Sequence, residues 1–193
     1  MNRDDRDWID LLSRGDGEGF RAFVDHHKRQ VYGLALDLTG NHHDAEDLAQ
    51  EVFVRVLQSV DRFRGDAKLS SWLYRITVNL NIDRVRRKRP DVMDHEGLEQ
   101  IHAVSPTRPS RDAGHDAAMA EAGDRIEAAL DTLSDQQRTV FVLKHHHDLP
   151  LREVADILGV SIGTVKSSLF RAIRALRDRL APYREDLGLE SES

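Results

Sequence analysis

Apolar residues recur three and four positions apart along most of the chain, and no stretch sustains the alternation of a half-buried strand. The pattern predicts an all-α protein. Near the start, Trp8, Leu11 and Leu12 begin a helix that the Gly15, Gly17, Gly19 cluster should stop. Phe20, Phe23, Val24, Val31, Leu34 and Leu38 carry the next helix to Gly40. In NHHDAEDLAQEVFVRVLQSV, Asp44 is the expected N-cap, and Ala45, Leu48, Ala49, Val52 and Val56 form the stripe to be buried. FRGDAKLSS reads as a turn by its Gly-Asp pair. A long helix should follow from about Ser70 to Arg89, ended by Pro90, with Trp72, Leu73, Ile76 and Leu80 toward a core.

Beyond Pro90 the periodicity fails until about Ala118, and three of the five prolines lie there at 90, 106 and 109. A flexible linker is expected. Order resumes through Ile126, Ala129 and Leu130, and then Ser134 and Gln137 have the spacing of a capping box. The expected organisation is two small helical domains over 5–90 and 119–184, a linker over 91–118, and a frayed acidic tail over 185–193.

Composition narrows the chemistry. The 193 residues are 39% hydrophobic and 32% charged, enough for one ordinary domain or two small ones. No run approaches the roughly 20 apolar residues that span a bilayer, and the first residues lack the order of a secretory signal. A cytoplasmic protein with no membrane insertion is expected. Without any cysteine, disulfide scaffolds, thiolate metal sites and cysteine nucleophiles are excluded. The formal charge of -6 would argue against a nucleic-acid partner, but it is unevenly spread. Residues 1–61 carry -6, residues 62–89 carry +7, residues 90–133 carry -7, and residues 134–193 are neutral. One short basic block in an acidic chain fits a local anionic contact.

The most specific local pattern is LREVADILGVSIGTVKSSLFRAIRAL, starting at Leu151. Ala155 lets a second helix cross closely, Gly159 can take the left-handed conformation of a sharp turn, and Val165 pins the second helix to the first. Ser161 should cap that second helix. Its buried stripe is expected to run Val165, Leu169, Ile173, Leu176 and Leu180, leaving Thr164, Lys166, Ser167, Ser168 and Arg171 outward. Hydroxyl, lysine and arginine side chains on the early turns of such a helix reach phosphates and base edges in a major groove.

The first half carries two further faces. Asp47, Gln50, Glu51, Val54 and Gln58 share an exposed, acidic and amide-rich ridge that suits a basic partner protein. Arg75, Asn79, Asp83 and Arg86 recur at i, i+4, i+8 and i+11 on the long helix, which ends in RVRRKR. That stripe suits DNA, because Asn reads bases bidentately and the terminal cations hold phosphates.

The strings DAEDLAQEVFVRV, FRGDAKLSSWLYRITVNLNIDRVRRKR and LREVADILGVSIGTVKSSLFRA, in this order, resemble the extracytoplasmic-function subgroup of bacterial sigma-70 factors. The resemblance runs from Trp8 to Pro182. It implies a sigma region 2-like bundle and a region 4-like helix-turn-helix, in a subunit that binds core RNA polymerase, selects a promoter and promotes its opening. Such a subunit is no enzyme and needs no cofactor. By this likeness Asp47, Gln50, Glu51 and Phe53 dock on the clamp helices of the largest polymerase subunit, though Phe53 could equally be core. Asp66, Lys68, Ser70, Arg75, Asn79, Asp83, Arg86 and Arg87 fall where the minus-10 element is read as an unpaired strand. Ser161, Thr164, Lys166, Ser167, Ser168 and Arg171 fall where the minus-35 element is read as duplex. The family also implies an anti-sigma partner and association with the nucleoid within holoenzyme. In such proteins the connector threads polymerase channels, for which the acidic linker is either a charge mimic or plain soluble disorder. Ser168 stands where the family often has arginine and Phe170 where it often has histidine, so promoter preference does not transfer.

Other readings remain in view. A dimeric helix-turn-helix regulator acting without core polymerase would use the second half alike and bind duplex on its own. Ten histidines include the pairs at 26–27 and 42–43 and the triple at 145–147. Adjacent histidines on a helix point about 100° apart and rarely share a metal, so no metal site is expected. No nucleophile and base constellation of a hydrolase is visible.

Overall fold

In a computed structural model, which describes residues 5–63, 65, 67–88 and 117–183, the elements are helical throughout those residues. The chain divides near residue 91 into two compact units. Most of the expected linker, Pro90, Asp66 and the tail over 185–193 lie outside the described residues.

The first unit holds α1 (Asp5–Ser13), α2 (Gly17–Thr39), α3 (His42–Ser59) and α4 (Leu69–Lys88), with a 3-10 turn at Val60–Arg62. The α1–α2 turn uses Gly15 at φ 68°, but Gly17 and Gly19 belong to α2 and do not break it. Asp16 caps α2, accepting from the N–H groups of Glu18 and Gly19 at 3.1 and 3.3 Å. A Cβ on Gly19 would meet Leu11 Cγ at 2.5 Å, so this glycine lets α1 lie close on α2. Gly40, at φ 85°, closes α2 with its N–H on Leu36 O.

The cap of α3 is not Asp44. Asn41 holds that place, its Oδ1 accepting from the Asp44 N–H at 2.8 Å while its amide donates to the Asp44 carboxylate at 2.9 Å. The helix therefore starts three residues earlier than expected, and Asp44 sits in its first turn. The predicted stripe of Ala45, Leu48, Ala49, Val52 and Val56 is buried in full. It packs with Trp8, Phe23, Val31, Leu69, Leu73, Ile76 and Leu80 in one core. Each fully buried side chain of this size contributes about 1.5–3 kcal/mol. The start of α4 is tied across 64 residues, because the Leu69 N–H donates to the Asp5 carboxylate at 2.7 Å. Asp5 thereby supplies a negative charge at the N-terminus of α4.

The C-terminal half of the chain holds α5 (Ala117–Leu130), α6 (Asp135–Phe141), α7 (Leu151–Leu158) and α8 (Ile162–Leu180). The capping box forms as predicted, with Ser134 and Gln137 bonded reciprocally at 3.3 Å. A π-helical turn, Val142–His146, follows α6, and Asp148 takes a positive φ of 52°, a conformation Asp tolerates. Between α7 and α8 Gly159 adopts φ 66°, and Ser161 caps α8 by accepting from the Thr164 N–H at 3.0 Å. Ala129, Leu130, Leu133, Ala172 and Leu176 form a core that joins α5 to α8.

Candidate polymerase and nucleic-acid interfaces

On α4, Arg75, Asn79, Asp83 and Arg86 are all exposed on one face, while Leu73, Ile76 and Leu80 enter the core. Lys68 before the helix is exposed and Ser70 in its first turn is half-buried. Gly65, at φ 75°, turns the chain ahead of them. Asp66 lies outside the described residues, so its place in this group is not defined.

The basic end of α4 is not simply a solvated cluster. Arg84 Nε–H donates to the Glu51 carboxylate at 3.1 Å, and its Nη1–H donates to the Asp44 carbonyl at 3.0 Å. Arg87 reaches the other Glu51 oxygen at 3.8 Å. Lys88 donates to both Asp44 carboxylate oxygens, at 3.0 and 3.2 Å. The Asn41 hydrogen bond, with Lys88 and Arg84 beside it, holds the Asp44 carboxyl below its usual value against the opposing effect of burial.

Sequence spacing did not reveal this network, because its partners lie 33 to 44 residues apart. It divides the ridge expected to dock on polymerase. Asp47 and Gln50 are exposed, with Asp47 3.9 Å from the His43 ring. Glu51 is half-buried and committed to α4. Phe53 is core: it is 8% exposed and lies edge-on to Phe23 at 6.3 Å. Its exposed replacements are apolar neighbours one and four positions on, Val54 and Leu57, of which Leu57 was not anticipated.

On α8, Lys166, Ser167 and Arg171 are exposed as expected, and the capping Ser161 is exposed as well. Thr164 is half-buried, its hydroxyl 2.9 Å from Ser161 Oγ. Ser168 does not face outward. It is 1% exposed, and the buried register runs Val165, Ser168, Ala172, Leu176, leaving Ile173 at the surface. The expected stripe had counted only large apolar residues. Close helix packing instead selects the small ones, Ser168 and Ala172, about 100° around the helix from Leu169 and Ile173. Phe170, 67% exposed, stands among the outward side chains.

These faces match known proteins in order. A Sigma-70 region 2 model matches residues 23–90, and a Sigma-70 region 4 model matches residues 123–176. The ECF RNA polymerase sigma factor SigW of Bacillus subtilis is 39% identical over 176 residues, covering 89% of this chain and 94% of SigW. The chain belongs to the extracytoplasmic-function subgroup of the sigma-70 family. SigE of Mycolicibacterium smegmatis is also 39% identical, over 162 residues that cover 83% of this sigma factor and 61% of SigE. Among solved structures, the sigma factor RpoE in complex with the anti-sigma factor NepR from Bartonella quintana shares the fold at TM-score 0.62. That match is 24% identical and covers 84% of this chain and 96% of the other. CnrH, solved with the cytosolic domain of CnrY, matches at TM-score 0.65 and 24% identity, over 92% of this chain and 97% of CnrH.

The all-α, two-domain expectation stands. Among the described residues no helix is long and apolar enough to cross a membrane, and no group of three His, Cys, Asp or Glu residues is placed to hold a metal ion.

Proposed function

We propose that this RNA polymerase sigma factor divides its work among three helices. The exposed part of α3, Asp47, Gln50 and Val54, docks on the clamp helices of the largest subunit of core polymerase, acid against base. The α4 stripe, Arg75, Asn79, Asp83 and Arg86, with Lys68 and Ser70 at its start, takes the minus-10 element as an unpaired strand. A base out of the stack costs a few kcal/mol, which a preformed pocket and cationic contacts offset. The α8 face, Ser161, Thr164, Lys166, Ser167 and Arg171, enters the major groove of the minus-35 element. The phosphodiester chemistry belongs to the polymerase, and the chain acts by placing it.

The observation that carries this reading is the α4 stripe, four DNA-competent side chains exposed in one line on a helix whose other flank is core. An anti-sigma factor is the expected inhibitor, as the structural neighbour RpoE is seen with NepR. The test adds purified bacterial core polymerase to a promoter template, with and without the chain. Open complexes and specific transcripts should require both proteins. Failure to form a stable complex with core, or tight duplex binding by a dimer of the chain alone, would replace the sigma reading of these faces with that of a free-standing regulator.

A further inference from the structure

Arg84, Arg86, Arg87 and Lys88 crowd the last turns of α4, and the favourable helix C-terminus offsets only part of their mutual repulsion. Two carboxylates of α3 supply the rest. Glu51 takes Arg84 and Arg87, and Asp44 takes Lys88, so three of these four cations are drawn toward α3 while Arg86 joins the exposed stripe.

The three ties differ in kind. The Arg84 side chain is 21% exposed and has two acceptors on α3, which makes it a fixed clamp between the helices. The Arg87 and Lys88 side chains are 67% and 65% exposed. Ion pairs of that exposure hold two long side chains for little net gain. A phosphate oxygen offers Arg87 and Lys88 an equivalent charge-assisted partner, so these two cations can change hands.

We propose that Asp44 and Glu51 are positioning residues of the DNA site: they hold Arg87 and Lys88 along α3 in the free chain and yield them to strand phosphates when DNA is engaged. The inference rests on the reading of α4 as the strand-binding helix. It links the two faces of the first unit. Glu51 lies one turn from Asp47 on the ridge assigned to polymerase, so a partner that occupies its carboxylate releases the cation that DNA needs. By reciprocity, DNA that takes Arg87 frees Glu51 for that partner. Cooperation between polymerase and promoter then needs no rearrangement of either helix.

Glu51→Gln keeps an acceptor for Arg84 and removes the charge, and Asp44→Asn does the same for Asn41. The full chain with both substitutions is titrated, without core polymerase, with a labelled single strand carrying the minus-10 element from 50 to 200 mM salt. Expected is binding about two- to fivefold tighter than the parent. The salt dependence should steepen by about 0.7 in log–log slope for each phosphate gained. In holoenzyme the gain should shrink, because the α3 face is already occupied. Unchanged or weaker binding by a folded variant overturns the proposal, and so does an equal gain in the free chain and in holoenzyme. Should the double variant lose its fold, Asp44→Asn alone leaves the Arg84–Glu51 clamp intact and carries the same expectation at about half the effect. Arg86→Ala separates the underlying reading from this one. If it leaves strand binding untouched, α4 is not the strand-binding helix; if it weakens binding while the carboxylate variants change nothing, only the positioning role fails.

Discussion

The basic end of α4 and the helix α8, both proposed to contact DNA, are oriented by different physics. The basic end of α4 is oriented by charge, through ties from Glu51 and Asp44 on the neighbouring helix. By contrast α8 is oriented by its start and its seam: Gly159 sets the turn, Ser161 caps the first residues, and Val165, Ser168, Ala172 and Leu176 are buried along one side. The Arg174–Asp178 ion pair runs along α8 itself, at 4.0 Å and largely in water, and ties the helix to no other element. Charge substitutions should therefore disturb the first helix, and backbone or packing substitutions the second.

The sharpest way to break that contrast is Arg84→Met. It removes both hydrogen bonds from Arg84 to α3, leaving the half-buried Glu51 carboxylate with only the longer Arg87 contact, and should cost about 2 kcal/mol in denaturant unfolding of the first unit. Arg174→Ala should cost less than about 0.5 kcal/mol in denaturant unfolding of the unit that holds α8. A loss between those two is expected from Gly159→Ala. Its φ of 66° penalises a Cβ by about 1–2 kcal/mol, although open space surrounds the position. Thermal unfolding and minus-35 duplex binding should fall together for that variant, whereas minus-10 strand binding holds.

Ser168→Ala has the opposite sign. Among the described residues the Ser168 Oγ is buried without a hydrogen-bond partner, so its removal should raise stability by up to about 1 kcal/mol and leave minus-35 affinity unchanged. A clear loss of duplex affinity would return Ser168 to the reading face. The smallest effect should be a pH dependence confined to the first unit. Burial lowers the His27 pKa below its ordinary 6.5, with the Gln30 hydrogen bond and the Asp5 charge opposing. The unfolded chain then takes up the proton first. The His27 contribution is complete above about pH 6.5 and is lost as the pH falls through that value toward the folded pKa. His27→Phe should flatten this part of the stability profile, read by denaturant melts between pH 7 and 5.

Much of both faces was legible in the sequence because it depended on neighbours within one or two turns. The α3 stripe, the α4 stripe, the Ser134–Gln137 box and the Ser161 cap follow from spacing alone. Errors arose where two local solutions competed. Asn41 and Asp44 are both good caps, and the chain uses Asn41 as cap with Asp44 as its partner in the first turn. Phe53 fits either an exposed ridge or a core, and Phe23 decides the matter from another helix.

The sequence by itself determined that this protein is helical, where most helices begin and end, and which residues carry the family's motifs, since these depend on hydrogen bonds and periodicities local to each segment. Only the tertiary structure decided which charges belong to one another. Asp5 on Leu69, Glu51 on Arg84 and Asp44 on Lys88 join positions 33 to 64 residues apart. Their meeting depends on how closely α1, α3 and α4 pack, and no spacing along the chain encodes that distance.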